Sequence, residues 1–169
     1  MRTKKTVLYA LLCALALVIG YFENLIPAFF VVPGGKIGLA NVVTMAVFFL
    51  FRPAEALAFG ALRSFLSAVL YNGFFAFFYS LVGTFFSVIS MAAARKALHK
   101  RVSEIGLSII GAAFYNFGQL ALCAAVLESV QVFRYFPALL MLSAFAGAVT
   151  GFLAHHINAY LHLNKPNKE

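Results

Sequence analysis

Long runs of apolar residues, separated by short polar segments, follow one another along the whole chain. Residues 74–78 and 141–151 are apolar on every face, whereas a barrel strand would alternate apolar and polar positions over about ten residues. A helix needs about 20 apolar residues to cross the hydrocarbon of a bilayer. The pattern therefore predicts an all-α, six-helix transmembrane bundle, with spans at about 6–26, 37–51, 54–70, 74–94, 105–127 and 135–157.

The composition fits a chain that is almost wholly embedded in lipid. Hydrophobic residues make up 63% of the chain and charged residues 11%, whereas an ordinary soluble domain has about 25% charged residues. Because a chain of 169 residues leaves much of its surface exposed, the apolar excess is not explained by a larger core. A soluble enzyme is therefore excluded, and 1–169 is predicted to form a single integral membrane domain.

The positive charges lie mostly on one side of the predicted bundle. With a cytoplasmic N-terminus, ten of the 13 lysines and arginines fall in inner segments, and Lys36 and Arg134 fall in outer loops. This asymmetry follows the positive-inside rule. It predicts a multi-pass membrane protein with both termini in the cytoplasm, and it explains the net charge of +8 without a nucleic-acid partner.

Several polar residues fall inside the spans, where burial in hydrocarbon is costly and functional sites are common. Most lie toward the outer side, so they are expected to line one outward-facing cavity, whose walls would be the rings of Phe74, Phe75, Phe77, Phe78 and Phe114. Lys36 and Arg63 outnumber the acid Glu23 at this level, which favours a ligand with an anionic group. Two alternatives stay open, because Asn and Gln side chains also join helices and Arg63 can pair with Glu23 to neutralise a charge. The candidate ligand-binding residues are Glu23, Lys36, Asn41, Arg63, Asn72, Tyr79, Asn116 and Gln119.

The segment 33–41, with the sequence PGGKIGLAN, precedes and opens the second span. Its three glycines permit a tight turn and a close approach of the backbone to a ligand. The free N–H groups at the start of the helix would favour an anion. The segment lacks the phosphate-loop patterns GxxxxGK[ST] and GxGxxG, and a re-entrant turn that only packs is the alternative interpretation.

Groups for catalysis or metal binding are scarce in the sequence. All five acids are glutamates, so the aspartate-rich motifs that hold magnesium and diphosphate are absent. None of the four histidines lies in the middle of a span, which disfavours haem. No catalytic or metal-binding residue is predicted. Ala10 and Ala14 form a pair of small residues four apart in the first span, a spacing that lets a partner helix approach.

Several segments resemble the bacterial Gx-transporter family, often labelled heptaprenyl diphosphate synthase component I. They are FEN with IP at 22–27, the glycine-rich segment 33–41, LR at 62–63, FFYS at 77–80, and IG at 105–106 with the NFGQ stretch at 116–119. The family is similar to the substrate-binding S-components of energy-coupling factor transporters. The resemblance implies a six-helix bundle in the bacterial cytoplasmic membrane, with an outward pocket under the first outer loop.

The resemblance also implies partners and a function. Small residues of the first helix contact a transmembrane coupling subunit with ATPases in S-components, and Ala10 and Ala14 correspond to them. We therefore expect a non-enzymatic binding and transport subunit that captures a small anionic or amphipathic ligand from the outer side. One alternative is a subunit of extracellular electron transfer, with a flavin or quinone as the bound ligand. The other is a non-catalytic membrane partner of a polyprenyl diphosphate synthase.

Overall fold

A computed structural model describes residues 2–25, 39–98 and 102–163, with side chains described for 5–25, 39–98 and 102–152. Over these ranges the chain forms six α-helices and no strand, which confirms the predicted all-helical class. A π-helical turn, Ala68–Asn72, follows the third helix, and a 3-10 turn, Val130–Tyr135, precedes the sixth. The helices are α1 Arg2–Leu25, α2 Leu39–Leu50, α3 Pro53–Ser67, α4 Gly73–Leu98, α5 Glu104–Val126 and α6 Phe136–Leu163.

Several helical stretches are long and apolar enough to cross a membrane. Within the described ranges there are four: Lys5–Leu25, Pro53–Leu98, Glu104–Val126 and Val130–Phe152. The apolar helix α2 is shorter, with 12 residues. Large apolar side chains point outward along these helices, as Phe75 and Met141 show at 77% and 78% exposure. Such a surface needs lipid as its solvent, so the protein is an integral membrane protein.

The 46-residue stretch Pro53–Leu98 contains two helices that fold back on each other. Pro53 occupies the first position of α3, where its missing N–H costs nothing. At the other end, Gly73 has φ of +75°, a conformation that glycine adopts without steric cost. The reversal brings Arg63 of α3 within hydrogen-bond distance of Ser80 of α4, 17 residues away. This hairpin supplies two walls of the cavity described below.

Helix α6 packs against α5 through glycines. A Cβ built at Gly147 would lie 2.6 Å from the Cα of Ile109, and one at Gly151 would lie 2.8 Å from the backbone N of Ile105. These two glycines let the backbones of the two helices approach closely. Close approach of this kind replaces hydrophobic driving force in lipid, where apolar side chains gain nothing from leaving water.

One end of the bundle, here the basic end, carries Lys5, Arg52 and Arg95. Lys5 Nζ lies 2.7 Å from a carboxylate oxygen of Glu55, and the hydroxyl of Tyr9 donates to the same oxygen. This cluster ties the start of α1 to the start of α3. Arg95, near the end of α4, lies 6.0 Å from the ring of Phe48 at the end of α2. The opposite end contains the C-terminus of α1 and the start of α2 and holds the cavity.

Candidate functional site

A small polar cavity lies between α1, α2, α3, α4 and α5, away from the basic end. The centre of a water molecule can occupy about 20 Å³ of this cavity, so the cavity holds about one water molecule. Its lining mixes charged, hydroxyl and amide side chains with small residues, which admit the polar groups close to the backbone. The lining residues are Gly20, Glu23, Ala40, Arg63, Ser67, Tyr71, Asn72, Ala76, Ser80, Tyr115 and Gln119.

Arg63 is the buried cation of this cavity, with 4% of its surface exposed. Its Nη2 donates to Ser80 Oγ at 2.9 Å, and Ser64 Oγ lies 2.8 Å from the same oxygen. The hydroxyl of Tyr115 lies 3.3 Å from Ser80 Oγ. The Nε of Arg63 has no hydrogen-bond partner among the described residues. The guanidinium is thus bonded to Ser80, whose hydroxyl also contacts Ser64 and Tyr115, and it keeps donor capacity for another acceptor.

Glu23 lines the same cavity but makes a different contact. Its Oε2 accepts a hydrogen bond of 3.2 Å from the backbone N–H of Ala40, in the first turn of α2. A carboxylate at a helix N-terminus is favoured by the helix dipole. Lys5 and Glu55 form an ion pair at the basic end, whereas the contact described for Glu23 is with α2. Glu23 therefore links the end of α1 to the start of α2.

The π-helical turn shapes the α3 side of the cavity. Because its hydrogen bonds run from residue i to i+5, side chains five apart are brought over one another. This places Asn72 on the same side as Ser67, and both line the cavity together with Tyr71. The Tyr71 hydroxyl donates to the carbonyl of Leu17 at 3.0 Å, and Asn24 Nδ2 donates to Asn72 Oδ1 at 2.5 Å. The turn thereby fastens α3 to α1 at the cavity.

The structure brings four of the eight predicted ligand-binding residues to the cavity: Glu23, Arg63, Asn72 and Gln119. Asn116 instead donates to Ser143 Oγ at 2.8 Å and joins α5 to α6. Tyr79 packs in an apolar cluster with Leu120 and Leu139. Asn41 is buried beside the cavity residue Ala40 without lining the cavity. Lys36 and most of the glycine-rich segment, 33–38, lie outside the described residues.

The expected aromatic wall does not close the cavity. Phe74, Phe75 and Phe78 are 66%, 77% and 47% exposed and face outward, because apolar rings are stable in contact with lipid. Hydroxyl groups that the sequence analysis did not select take their place, among them Ser80 and Tyr115. Tyr115 lies four residues before the predicted site residue Gln119, so both are on one face of the helix. This spacing was the signal in the sequence that could have identified Tyr115.

The predicted partner-contact residues Ala10 and Ala14 both lie on the exposed side of α1. Ala10 lines an open, mostly apolar groove of about 660 Å³ between α1 and α3 near the basic end. Cys13, Phe59 and Leu62 also line it, as do both members of the Lys5–Glu55 pair. Within the ranges that the structure describes, no three His, Cys or Glu side chains are grouped to hold a metal ion.

Helices with lipid-facing surfaces around a buried arginine define the class: an all-helical integral membrane protein with a small internal polar site. The chain belongs to the heptaprenyl diphosphate synthase component I family, whose sequence profile matches residues 12–157. This match confirms the resemblance seen in the sequence, and it spans every cavity residue. No curated protein and no solved structure matches the chain.

Proposed function

We propose that the protein is a membrane-embedded binding and transport subunit that captures a small ligand with an anionic group. The observation that carries this proposal is the state of Arg63: it is buried, bonded to the hydroxyl of Ser80, and its Nε has no partner among the described residues. Moving a cation out of water costs several kcal/mol unless an opposite charge and full hydrogen bonding compensate. An anion entering the cavity supplies both, and its bonds to a guanidinium are among the strong ones.

The cavity accepts little more than a water molecule in this conformation, so a larger ligand enters only when lining residues move. The Glu23–Ala40 contact, which links α1 to α2, lies beside the entrance that we propose. Lys36, between these helices in the chain, stays a predicted second cation for the same ligand.

All six helices cross the bilayer in this proposal, and the cavity opens to the outer side of a bacterial cytoplasmic membrane. The basic end, with Lys5, Arg52 and Arg95, then lies in the cytoplasm in accordance with the positive-inside rule. The bundle would resemble an energy-coupling factor S-component. Active transport would need a coupling subunit and ATPases, with Ala10 and Ala14 on the contacting face of α1.

A second candidate function follows from the family description. A component I of a heptaprenyl diphosphate synthase would act with another subunit, so this chain would be its non-catalytic membrane partner. The absence of aspartate from the sequence favours a non-catalytic role, because the carboxylates for magnesium and diphosphate would come from the partner. Copurification of a soluble prenyl-transferring subunit would favour this candidate over the transport role, whereas a flavin or quinone absorption band would favour the electron-transfer alternative.

The proposed function is tested by comparing the small molecules retained by the purified protein and its variants. Native mass spectrometry identifies a retained anion, and thermal shifts with phosphate and small carboxylates test binding directly. Arg63→Ala should weaken binding roughly 10- to 100-fold, the value of a hydrogen-bonded charge. Arg63→Lys keeps the charge but loses the planar arrangement of donors. Its affinity for the anion should therefore lie between those of the unmodified protein and Arg63→Ala.

Arg134→Ala is the matched control, because Arg134 is exposed in the 3-10 turn beyond α5. It should bind as the unmodified protein does. Size-exclusion profiles and circular dichroism establish that each variant is folded. Equal binding by folded Arg63→Ala would contradict an anion site at Arg63.

A further inference from the structure

Five buried polar side chains that do not line the cavity lack hydrogen-bond partners. Each is at most 1% exposed, and in each no polar atom of the side chain has a partner among the described residues. In Asn41 both the amide nitrogen and the oxygen are in this state. A buried polar atom left without a partner costs about 1–3 kcal/mol, so a group of five calls for a physical explanation. They are Asn41 and Thr44 of α2, Thr84 and Ser87 of α4, and Ser108 of α5.

Other buried hydroxyl groups in the same bundle are satisfied by their own helix. Ser64, Ser143 and Thr150 each donate to the carbonyl four residues earlier, at 2.7 Å. A helical serine or threonine can adopt this arrangement readily. The hydroxyl groups of Thr44, Thr84, Ser87 and Ser108 make no such bond.

Packing and helical spacing place four of the five side chains along one path, and Asn41 lies three residues before Thr44 on α2. A Cβ built at Gly60 would lie 3.1 Å from Thr44 Cγ2 and 3.3 Å from Thr84 Oγ1, so both threonines pack against this glycine. On α4, Thr84 and Ser87 continue the face of the cavity residue Ser80, at positions four and seven residues further. On α5, Ser108 lies seven residues from Tyr115, on the same face. The group therefore continues the cavity toward the basic end for about 10 Å.

Beyond the five polar side chains, toward the basic end, the neighbouring side chains are apolar. A Cβ built at Gly111 would lie 2.8 Å from Met91 Cγ and 3.2 Å from Met45 Sδ. Met45, Met91 and Phe48 are all at most 2% exposed. Between the arginine and these methionines, the five groups carry no charge.

We propose that these five side chains bind a file of water molecules between α2, α4 and α5, which extends the Arg63 cavity toward Met45 and Met91. Water fits this set because it both donates and accepts, and buried water commonly bonds to about three such groups. A cation fits poorly, since no carboxylate is present in the group to neutralise it and Arg63 lies at its entrance. The water file does not depend on an anionic ligand, so it stands or fails apart from the proposed function.

Isosteric apolar variants distinguish a hydrated file from a dry one. Thr44→Val and Thr84→Val keep the shape of the side chain but remove the hydroxyl. If water bonds to these groups, each variant should lower Tm by about 2–4 °C, because the remaining polar groups lose a shared partner. In a dry cluster, the same change removes an unsatisfied group, so Tm would stay the same or rise, and either result would overturn the proposal.

Thr150→Val is the matched control, because Thr150 is fully buried and bonded to its own helix at Ala146. It should change Tm by less than either variant in the file. A second measurement detects the water itself: X-ray radiolysis of the purified protein produces hydroxyl radicals from bound water, and mass spectrometry locates the oxidised residues. Met45 and Met91 should be oxidised despite their burial, and less so in Thr84→Val. The absence of oxidation at both methionines in the unmodified protein would also overturn the proposal.

Discussion

Residues that lie close together on α5 make different contacts. Asn116 donates to Ser143 and to the carbonyl of Leu139, at 2.8 and 3.3 Å, and so joins α5 to α6. Gln119 lines the cavity with Arg63, as does Tyr115. Asn116 and Gln119 are three residues apart and therefore near one face of α5. Even so, Asn116 contacts α6, whereas Gln119 lines the cavity.

This division gives a prediction that separates stability from binding. Asn116→Ala removes a hydrogen bond between helices and should cost about 0.6–2 kcal/mol of stability, with ligand binding retained. Gln119→Ala should leave Tm within about 1 °C and weaken binding, because its amide faces the cavity. Thermal unfolding in detergent and a binding assay on the same samples measure both. A loss of binding confined to Asn116→Ala would reverse the assignment.

The polar residues that the sequence could identify were those that are rare in lipid. Glu23 and Arg63 stand out in apolar spans because a charge there is costly, and the structure places both in the cavity. Ser80 and Tyr115 could not be distinguished in this way, since hydroxyl side chains are frequent in membrane helices and often bond to their own backbone. Which face of each helix points inward depends on packing with its neighbours, and apolar helices carry no periodic signal for it.

At the scale of helices, the contact between α5 and α6 depends on two glycines. Residues 144–151 include five alanines and glycines, and the sequence alone does not show which of them meet a neighbour. Gly147 and Gly151 lie against the backbone of α5, whereas Ala144 is exposed. Adding bulk at a backbone contact forces the helices apart, and overpacking typically costs about 1–3 kcal/mol.

Gly147→Ala should therefore lower Tm by several degrees. Since a Cβ at this position would lie 2.8 Å from the backbone N of Ile109, no side-chain rotation relieves the contact. Ala144→Val adds volume to the exposed side of the same helix and serves as the control, with Tm nearly unchanged. Thermal unfolding of the unmodified protein, Gly147→Ala and Ala144→Val in one detergent measures the three Tm values. Equal effects of the two substitutions would show that α5 and α6 tolerate a wider separation.

For the whole molecule, composition was sufficient to predict a helical membrane protein, and the structure confirms this class. The sequence predicts separate spans at 54–70 and 74–94, and the structure places the break between α3 and α4 at the same point, where Gly73 has a positive φ. Asn72 and Gly73 signal a turn in the sequence, but the π-helical winding before them has no comparable signature.

The orientation of the bundle can be tested with cysteines placed at the two ends of α5. In a background without Cys13 and Cys123, Ser103→Cys should react with an impermeant thiol reagent only after the cells are permeabilised. Val130→Cys, at the opposite end and 78% exposed, should react in intact cells. The expectation rests on the lysines and arginines around the basic end. Labelling of Ser103→Cys in intact cells would show that the topology is the reverse of the predicted one, with the cavity on the cytoplasmic side.

The π-helical turn makes the cavity tolerant of one change in the length of the chain. Leu70 lies within this turn, is 64% exposed and does not line the cavity. Its deletion would leave every lining residue in the sequence and place Asn72 four residues after Ser67, a spacing that keeps both on one face of a regular α-helix. Among related sequences, therefore, a single-residue gap at this turn is compatible with the same site.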